Sequence, residues 1–268
     1  MTSFSGKTAW ISGGASGIGR ALAEQLVDRG ATVRIVDIAS PNKSDLPRGC
    51  AFEQVDVRDG DAVDRSIRSF AEAHGRIDYV FNNAGVVVIG LAEHADADDW
   101  QRVIDVNING VVHGVRTAYE LMRVQRSGHI VNTASVAGLI ATPGAVAYSA
   151  SKHAVVGLSR ALRPEAARHN VRVSVVCPGF VRTPMADNGK MIGGIERGEA
   201  LDQVGRLTGW LTPRQMATAT LRGVARNRPV IVAPRPYRGL ARTLALNDTV
   251  TERFGRWATA RIAALGGR

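Results

Sequence analysis

Apolar and polar residues alternate along the chain in two repeating patterns. Seven short runs are rich in aliphatic and β-branched residues, and most are bounded by glycine, asparagine, aspartate or proline, which is typical of strands. Their nearly continuous apolar character is typical of parallel strands that are covered on both faces. The predicted strands occupy residues 7–12, 32–36, 51–55, 78–82, 128–133, 171–176 and 229–233.

Helical patterns, with apolar residues three or four positions apart, separate most of these runs. They cover residues 17–29, 59–73, 97–125 and 148–168. Thr212, Pro213 and Gln215 have the arrangement of an N-cap, a first-turn proline and a capping box, which predicts a further helix over 213–227. Strands that alternate with helices predict an α/β fold, a doubly wound parallel sheet (Rossmann fold) in one domain with a short helical C-terminal tail.

Residues 182–211 interrupt this alternation and are rich in glycine and methionine. We interpret them as a flap with a soft apolar lining, while an ordinary surface insertion is the alternative. The apolar residues of the flap favour an apolar substrate, although they could equally pack against one another. They are Met185, Met191, Ile192, Leu201 and Trp210.

Composition narrows the class of protein. A chain of 268 residues that is 45% apolar can bury the core of one large α/β domain. Cys50 and Cys177 do not make a disulfide framework, the first ten residues do not resemble a signal peptide, and no apolar run is long enough to span a membrane. We therefore expect a cytoplasmic protein. The six histidines are scattered without ligand-like spacing, so no metal site is expected.

The net charge of +10 is concentrated at the C-terminal end. From Arg222 to Arg268, ten arginines face two acidic residues, a balance of +8. We divide the chain into a Rossmann-fold domain, residues 1–235, and a basic amphipathic tail, residues 236–268. No zinc-finger spacing or interleaved aromatic motif accompanies the basic residues, so nucleic acid is not an expected partner.

Apolar residues recur at nearly helical spacing within the tail, between an N-cap signal at 247–249 and a glycine pair at 266–267. The predicted stripe comprises Val250, Phe254, Trp257, Ile262 and Leu265, with Arg253, Arg256 and Arg261 between them. Such a helix could pack on its own protein, contact a second subunit or lie on a membrane. The first two are favoured over the peripheral membrane contact.

A glycine-rich stretch, SGGASGIG at residues 12–19, follows the first predicted strand and opens a helix. Such a loop lets the backbone approach a pyrophosphate at the helix N-terminus. Asp37 ends the second predicted strand, where its carboxylate can bind an adenosine ribose, and a plain turn aspartate is the alternative. Because this carboxylate would repel a 2′-phosphate and Ser16 adds no positive charge, the pattern favours NAD over NADP.

Tyr148 and Lys152 lie four residues apart in a predicted helix and so share one face. The pKa of a free tyrosine, about 10, is too high for a base near neutral pH, but a nearby ammonium group and an oxidised nicotinamide favour the phenolate. An aromatic ring packed on an aliphatic stem is the alternative. Ser135 ends a predicted strand, where its hydroxyl can bind a substrate oxygen, although strand-end serines are often only turn residues.

These motifs occur together in one order. The glycines of the loop, NNAG at 82–85, Ser135, the Tyr148–Lys152 pair and Pro-Gly at 178–179 resemble the short-chain dehydrogenase/reductase family over roughly residues 5–235. The resemblance implies transfer of a hydride between a nicotinamide and the carbon of a secondary alcohol or ketone, with Tyr148 as general acid/base. The family's usual ending is replaced by RPVIVAPRPY and the basic tail, so we expect a homodimer or homotetramer, with the dimer favoured.

The resemblance also assigns the site residues. Lys152, Ser135 and Asn107 would join Tyr148 as catalytic residues. Asn107 would hold a water that relays protons to Lys152, and a helix-to-core hydrogen bond is its alternative. The residues implied to bind the cofactor, in addition to Tyr148 and Lys152, are Gly13, Ser16, Gly17, Ile18, Gly19, Asp37, Asp56, Val57, Asn83, Val181 and Thr183.

Individual roles within this set follow from the same resemblance. Asp56 and Val57 would hold the adenine, and Asn83 would line the adenosine side of the groove. Val181 and Thr183 would bind the nicotinamide carboxamide, with a helix cap as the alternative for Thr183. Lys152 would also bind the nicotinamide ribose.

Two other classes of function stay open. A non-catalytic NAD-binding regulator could share the fold, but the complete catalytic set disfavours it. An NAD-dependent epimerase or dehydratase would keep Tyr148 and Lys152, but the region after residue 180 is short for a sugar-nucleotide domain.

Overall fold

The computed structural model describes residues 4–42, 46–194, 210–234, 236–237, 239 and 248–266, without the side chains of 186, 187, 248, 254, 261 and 264–266. Leu201 of the predicted flap lies outside this part of the chain. So do Asn247, Gly267 and the side chains of Phe254, Arg261 and Leu265 of the predicted tail helix.

Seven parallel strands form the central sheet, in the order β3-β2-β1-β4-β6-β7-β9. They are β1 (Thr8–Ser12), β2 (Thr32–Asp37), β3 (Cys50–Gln54), β4 (Tyr79–Asn82), β6 (Gly128–Thr133), β7 (Val171–Pro178) and β9 (Val230–Ala233). A separate pair consists of β5 (Val88–Ile89) and β8 (Lys190–Met191). The seven strands predicted from sequence and the doubly wound fold are confirmed.

Helices cover both faces of the sheet. The longer ones are α1 (Gly17–Val27), α2 (Gly60–His74), α3 (Ala97–Ile104), α4 (Gly110–Gln125), α5 (Val146–Ala167), α7 (Pro213–Ala225) and α8 (Asp248–Gly266), with the short α6 (Pro184–Asn188) in the flap. The predicted capping box at the start of α7 is present. Among the described helices, none is long and apolar enough to cross a membrane.

The core consists of two apolar layers, one on each face of the sheet. In β1, Trp10 packs into the layer beneath α2, α4 and α5, while Ala9 and Ile11 pack into the layer beneath α1 and α7. This alternation is the period-two pattern of a strand, and burial on both faces explains why the strand sequences are continuously apolar.

The order of the strands changes direction between β1 and β4. The strands β2 and β3 lie on one side of β1, and the later strands lie on its other side. In an open α/β sheet, such a switch point leaves a crevice at the carboxyl ends of the strands. The loops after β1, β4, β6 and β7 therefore meet at one edge.

Two local features differ from the sequence prediction. The helix predicted over 97–125 widens into a π-helical turn at Asp105–Asn109, between α3 and α4. The start of the flap forms α6 and the strand β8, and its far end returns to the sheet where Leu211 exchanges backbone hydrogen bonds with Phe180 and Arg182. Neither feature changes the strand–helix alternation.

Candidate active site

The glycine-rich loop after β1 leads into α1 through Ser16, which is the N-cap residue and makes no side-chain cap hydrogen bond. The first turn of α1 contains no acidic residue, so its amide groups and the helix dipole favour an anion. Gly17 has φ +53°, and a Cβ there would lie 3.1 Å from Cγ2 of Thr183. A larger residue at Gly17 would thus be strained and would press on the loop that follows β7.

Hydrogen bonds join this loop to the NNAG segment after β4. The Oγ of Ser12 accepts the amides of Asn83 (3.0 Å) and Ala84 (3.1 Å). The side-chain amide of Asn83 donates to the carbonyls of Ser12 (3.2 Å) and Gly13 (3.3 Å). Gly13 and Gly19 pack so closely here that a Cβ on Gly19 would overlap the Gly13 carbonyl. Asn83 therefore fixes the walls of the crevice between β1 and β4.

Asp37 ends β2 beside the glycine-rich loop. One carboxylate oxygen accepts the amide of Ala15 and the other accepts the amide of Ala39, each at 3.1 Å. The second bond is that of a turn aspartate, whereas the first holds the carboxylate next to Ser16 at the mouth of the groove. Ile18, the second residue of α1, packs against the apolar layer beneath α1.

Asp56 and Val57 follow β3, on the same edge of the sheet. The Asp56 carboxylate forms a forked ion pair with Arg58, with distances from 2.6 to 3.1 Å, and this hydrogen bonding lowers its pKa. Val57 is buried, and its carbonyl accepts a hydrogen bond from Nδ1 of His113 at 2.9 Å. A ligand at this position would meet an Asp56–Arg58 pair instead of an isolated carboxylate.

Tyr148 and Lys152 lie on one face of α5, as their spacing predicts. The Nζ atom of Lys152 lies 5.5 Å from the centre of the Tyr148 ring and donates to the Thr133 carbonyl at 3.1 Å. Lys152 is only 2% exposed, and burial lowers its pKa to about 8. Burial also raises the pKa of Tyr148, while a hydrogen bond with Ser135 acts in the opposite direction.

Ser135 follows the end of β6 and directs its side chain toward both neighbouring loops. Its Oγ accepts the amide of Ala137 at 3.1 Å, which starts a short 3₁₀ turn, and it lies 3.5 Å from the Pro178 carbonyl. Ser135 also lies close enough to Tyr148 to act on the pKa of its phenol and lower it, which brings the predicted serine and tyrosine together. The turn role that we considered as the alternative for Ser135 is therefore present, and the same residue lies beside Tyr148.

Asn107 is buried in the π-helical turn, and its side chain is fully oriented by the protein. Its oxygen accepts the Val86 amide (2.8 Å), and its nitrogen donates to the Val86 carbonyl (2.9 Å) and to Oγ of Ser151 (3.0 Å). The helix-to-core hydrogen bond that we considered as the alternative is therefore present. Turns of this kind release backbone groups from the helical ladder and often mark functional sites.

The flap reaches the same place. The Oδ1 of Asn107, the Nζ of Lys152 and the Cε of Met185 lie 3.2, 3.3 and 3.4 Å from the point that a Cβ on Gly85 would occupy. A side chain on Gly85 would meet all three groups at tight contact distances, so the neighbouring side chains would have to shift by a few tenths of an ångström. Val181 is buried and bridges Leu211, and Thr183 is the N-cap of α6 without a side-chain cap bond.

The family model of the short chain dehydrogenases matches residues 7–191, which include every one of these groups. The chain belongs to the short chain dehydrogenase family. It is therefore an oxidoreductase that uses a nicotinamide cofactor and acts on CH–OH groups. The match ends in β8 of the flap.

Similar proteins agree with this assignment. The oxidoreductase UcpA of Escherichia coli (strain K12) is 39% identical over 196 residues, which are 70% of this chain and 74% of UcpA. The 3-oxoacyl-(acyl-carrier-protein) reductase FabG of Thermotoga maritima is 36% identical over 189 residues, 68% of this chain and 77% of FabG. A crystal structure of a short chain dehydrogenase/reductase from Burkholderia phymatum, in complex with NAD, is 34% identical. It covers 90% of this chain and 94% of its own, with a TM-score of 0.78.

As a short chain dehydrogenase, this protein has three supporting groups that sequence reasoning missed. The Thr133 carbonyl holds Lys152, Ser151 links Asn107 to the Tyr148 carbonyl (2.7 Å), and Gly85 keeps the space between them open. Backbone carbonyls carry no sequence signal. Ser151 sits in a helical pattern where serine is unremarkable, but its position between Tyr148 and Lys152 could have drawn attention to it.

Proposed function

We propose that this chain is an NAD-preferring dehydrogenase/reductase of apolar secondary alcohols and the matching ketones, with Tyr148 as general acid/base. The observation that carries this proposal is the buried Lys152 beside the Tyr148 ring, with Ser135 near enough to act on the pKa of Tyr148. All three lie at the carboxyl edge of the sheet, at the end of a groove that suits a dinucleotide.

The groups of the groove fit that cofactor in a consistent order. Ser16, Gly17 and the first turn of α1 would receive the pyrophosphate, because their amides are not occupied by a capping side chain. Asp56 and Val57 would lie at the adenine, and Val181 and Thr183 would lie at the carboxamide. Gly13, Ile18, Gly19 and Asn83 would shape the walls.

Tyr148 would exchange a proton with the substrate oxygen, and the Ser135 hydroxyl would donate a hydrogen bond to the same oxygen. Because burial raises the pKa of Tyr148, the protein's own groups keep it as a phenol at neutral pH, which suits the proton donor of ketone reduction. When bound, oxidised nicotinamide supplies the hydride acceptor and a positive charge that favours the phenolate. Lys152, with a pKa of about 8, can gain or lose a proton near neutral pH.

Asn107 would contribute by holding neighbouring residues in place. Its side-chain amide fixes Val86 and Ser151, and Ser151 in turn bonds the Tyr148 carbonyl. A water held at the widened turn and relaying protons to Lys152 is compatible with this arrangement.

NAD is favoured over NADP because the Asp37 carboxylate is held next to Ser16, where it would meet the adenosine ribose of the cofactor. Two like charges about 4 Å apart at an effective dielectric constant near 20 repel by roughly 4 kcal/mol, which is ample to set a preference. Ser16 offers no positive charge to offset this repulsion.

The substrate side favours an apolar molecule. Val86, Val88, Trp100, Ala147 and Ile192 belong to one apolar cluster that adjoins Tyr148 in the chain. Met185 approaches the site from the flap.

The remaining features of the proposal concern the whole chain. We assign the catalytic domain to residues 1–235 and a separate helical tail to 236–268, and we expect a homodimer. Cys50 and Cys177 are free thiols, which suits a reducing cytoplasmic location.

The test of this function is turnover by a Tyr148→Phe variant. Phenylalanine keeps the ring but removes the proton donor, so NADH formation at 340 nm with a panel of secondary alcohols should fall by about a hundredfold or more. NADH binding, followed by fluorescence, should persist. Tyr119→Phe, a tyrosine of α4 outside the site, is the control and should keep its activity. A Tyr148→Phe enzyme with a near-normal rate would remove tyrosine from the mechanism. NADH binding without turnover in the unaltered protein would favour the non-catalytic regulator.

A further inference from the structure

The first part of the flap is paired with the segment that follows the NNAG motif. The strands β5 and β8 run parallel, with Val88 opposite Lys190 and Ile89 opposite Met191. The Lys190 amide donates to the Val87 carbonyl at 3.2 Å, and the Ile192 amide donates to the Ile89 carbonyl at 2.9 Å. Two residues form a very short strand pair, so side chains must contribute to holding it.

An ion pair lies at this strand pair. The Nζ atom of Lys190, in β8, lies 2.6 Å from Oδ1 of Asp99 and 3.7 Å from Oδ2 of Asp96, both in the first turn of α3 or just before it. The Asp99 side chain is only 3% exposed. Its other oxygen is buried without a hydrogen-bond partner among the described residues. Lys190 therefore provides the close positive charge for a carboxylate that is removed from water, and its loss would leave that charge uncompensated.

Apolar packing joins the flap to the catalytic helix. Ile192, directly after β8, belongs to the cluster formed by Val88, Val103 and Ala147, and Ala147 precedes Tyr148. Gly90 has φ +153°, and a Cβ there would lie 2.6 Å from the Ile192 carbonyl oxygen. The close approach of the flap thus requires glycine at this position.

The same stretch of chain reaches the catalytic lysine at its other end. Met185, five residues before Lys190, has its Cε among the groups that converge beside Gly85, together with Nζ of Lys152. Residues 185–192 therefore span the distance from the catalytic centre to the Asp99 ion pair, and the position of β8 determines how this stretch lies over the pocket.

We infer that the Lys190–Asp99 ion pair is a latch that holds β8 against β5, and that Lys190 is thereby a positioning residue for the substrate. The substrate part of this inference rests on the proposed function, whereas the latch itself does not. Lys190 would act through the flap without touching the reacting atoms. Its removal should weaken substrate binding and leave cofactor binding unchanged.

The chain offers a matched control. Lys7 pairs with Asp78 at 3.3 Å, and their exposed side-chain fractions, 36% and 7%, are close to the 42% and 3% of Lys190 and Asp99. Lys7 and Asp78 precede β1 and β4, so their pair lies at the amino edge of the sheet, opposite the site. Lys7→Met thus controls for the loss of a paired lysine at the opposite end of the fold, and there Asp78 keeps its closer ion pair with Arg76 at 2.6 Å.

The experiment combines hydrogen exchange with kinetics on the full-length protein. In Lys190→Met, the amides of residues 190 and 192 should exchange at least about tenfold faster, because the strand pair opens more often. The KM for 1-phenylethanol, or for the secondary alcohol of the panel that is turned over fastest, should rise about tenfold, a size typical of coupled neighbouring residues. The KM for NAD should stay within about twofold. Lys190→Arg should restore both properties, and Lys7→Met should change neither.

Asp99→Asn provides a second route to the same answer, since it removes the charge and keeps the volume. Its effect should not add to that of Lys190→Met in the double variant if the two residues act as a pair. Unchanged exchange in both single variants, additive effects, or equal changes in the KM for NAD and for the alcohol would overturn the inference. If the unaltered protein turns over no alcohol, the proposed function and the positioning role both fail, and the exchange rates still decide whether the latch exists.

Discussion

Lys152 should reduce the stability of the protein at the pH at which the enzyme works. Its side chain is 2% exposed, its hydrogen bond goes to the Thr133 carbonyl, and burial lowers its pKa from an ordinary 10.5 to about 8. We predict that Lys152→Met, which keeps a similar length without the charge, abolishes activity and makes the protein harder to unfold at pH 7.

The magnitude follows from the change in pKa. A base whose pKa is lower in the folded state binds fewer protons there than in the unfolded state, so the free energy of unfolding falls as the pH drops from 10.5 to 8 and then levels off. A pKa that is lower by one unit corresponds to about 1.4 kcal/mol. The buried Lys152 therefore lowers the free energy of unfolding by about 3 kcal/mol at pH 7 and by about 1 kcal/mol at pH 10. Methionine loses the hydrogen bond to Thr133, worth about 1 kcal/mol at either pH. The variant should therefore be about 2 kcal/mol more stable at pH 7 and no more stable at pH 10.

Urea unfolding of both proteins at pH 7 and pH 10, at one protein concentration, measures this difference. Other groups titrate between these pH values in both proteins, so their contributions cancel in the comparison. Lys7→Met controls for the loss of one positive charge at the surface. A Lys152→Met variant that is less stable at pH 7, or a stability difference that is the same at both pH values, would contradict the argument that burial of Lys152 lowers the free energy of unfolding.

Two further predictions concern the cofactor and the tail. Asp37→Ala should raise the catalytic efficiency with NADP relative to NAD by about a hundredfold or more, because it removes the carboxylate beside Ser16; comparable efficiencies with both cofactors in the unaltered enzyme would refute the assignment. Deletion of residues 240–268 should lower the melting temperature or change the mass measured by light scattering, since Ile262 of α8 lies against Gly144 near the site. A truncated enzyme that keeps its oligomeric state, melting temperature and activity but no longer binds anionic vesicles would show that the tail binds membranes.

The fold could be predicted because its strands are short and the central ones are buried on both sides, which gives apolar runs that the helical segments do not share. Residues that end strands, such as Asp37 and Ser135, could be placed at one edge from the parallel order alone. The spacing of Tyr148 and Lys152 was sufficient to place both on one face of α5.

Features that depend on tertiary contacts could not be predicted in this way. The π-helical turn at Asn107 lies in a sequence that continues the helical pattern, and it is visible only once Asn107 bonds Val86. The pairing of β8 with β5 involves two residues on each side, too few to produce a periodic signal. The ion pair of Asp56 with Arg58 is local, but nothing in the sequence tells whether that carboxylate is paired or free.

Lysine, and not the arginine that dominates this chain, suits the surroundings of position 152, whereas position 190 needs only a positive charge. At Lys152 the described hydrogen-bond acceptor is the single carbonyl of Thr133 and the side chain is buried, so a guanidinium with five donors would leave most of them unsatisfied and could not release a proton. An ammonium with a pKa of about 8 can release a proton near neutral pH, as the proposed relay requires. At Lys190 the carboxylate of Asp99, 2.6 Å from the Nζ atom, raises the pKa and keeps the side chain charged, and an arginine would supply the same charge. Burial lowers the pKa of Lys152, whereas the facing carboxylate of Asp99 raises the pKa of Lys190. The surroundings of each lysine therefore decide whether it can titrate near neutral pH.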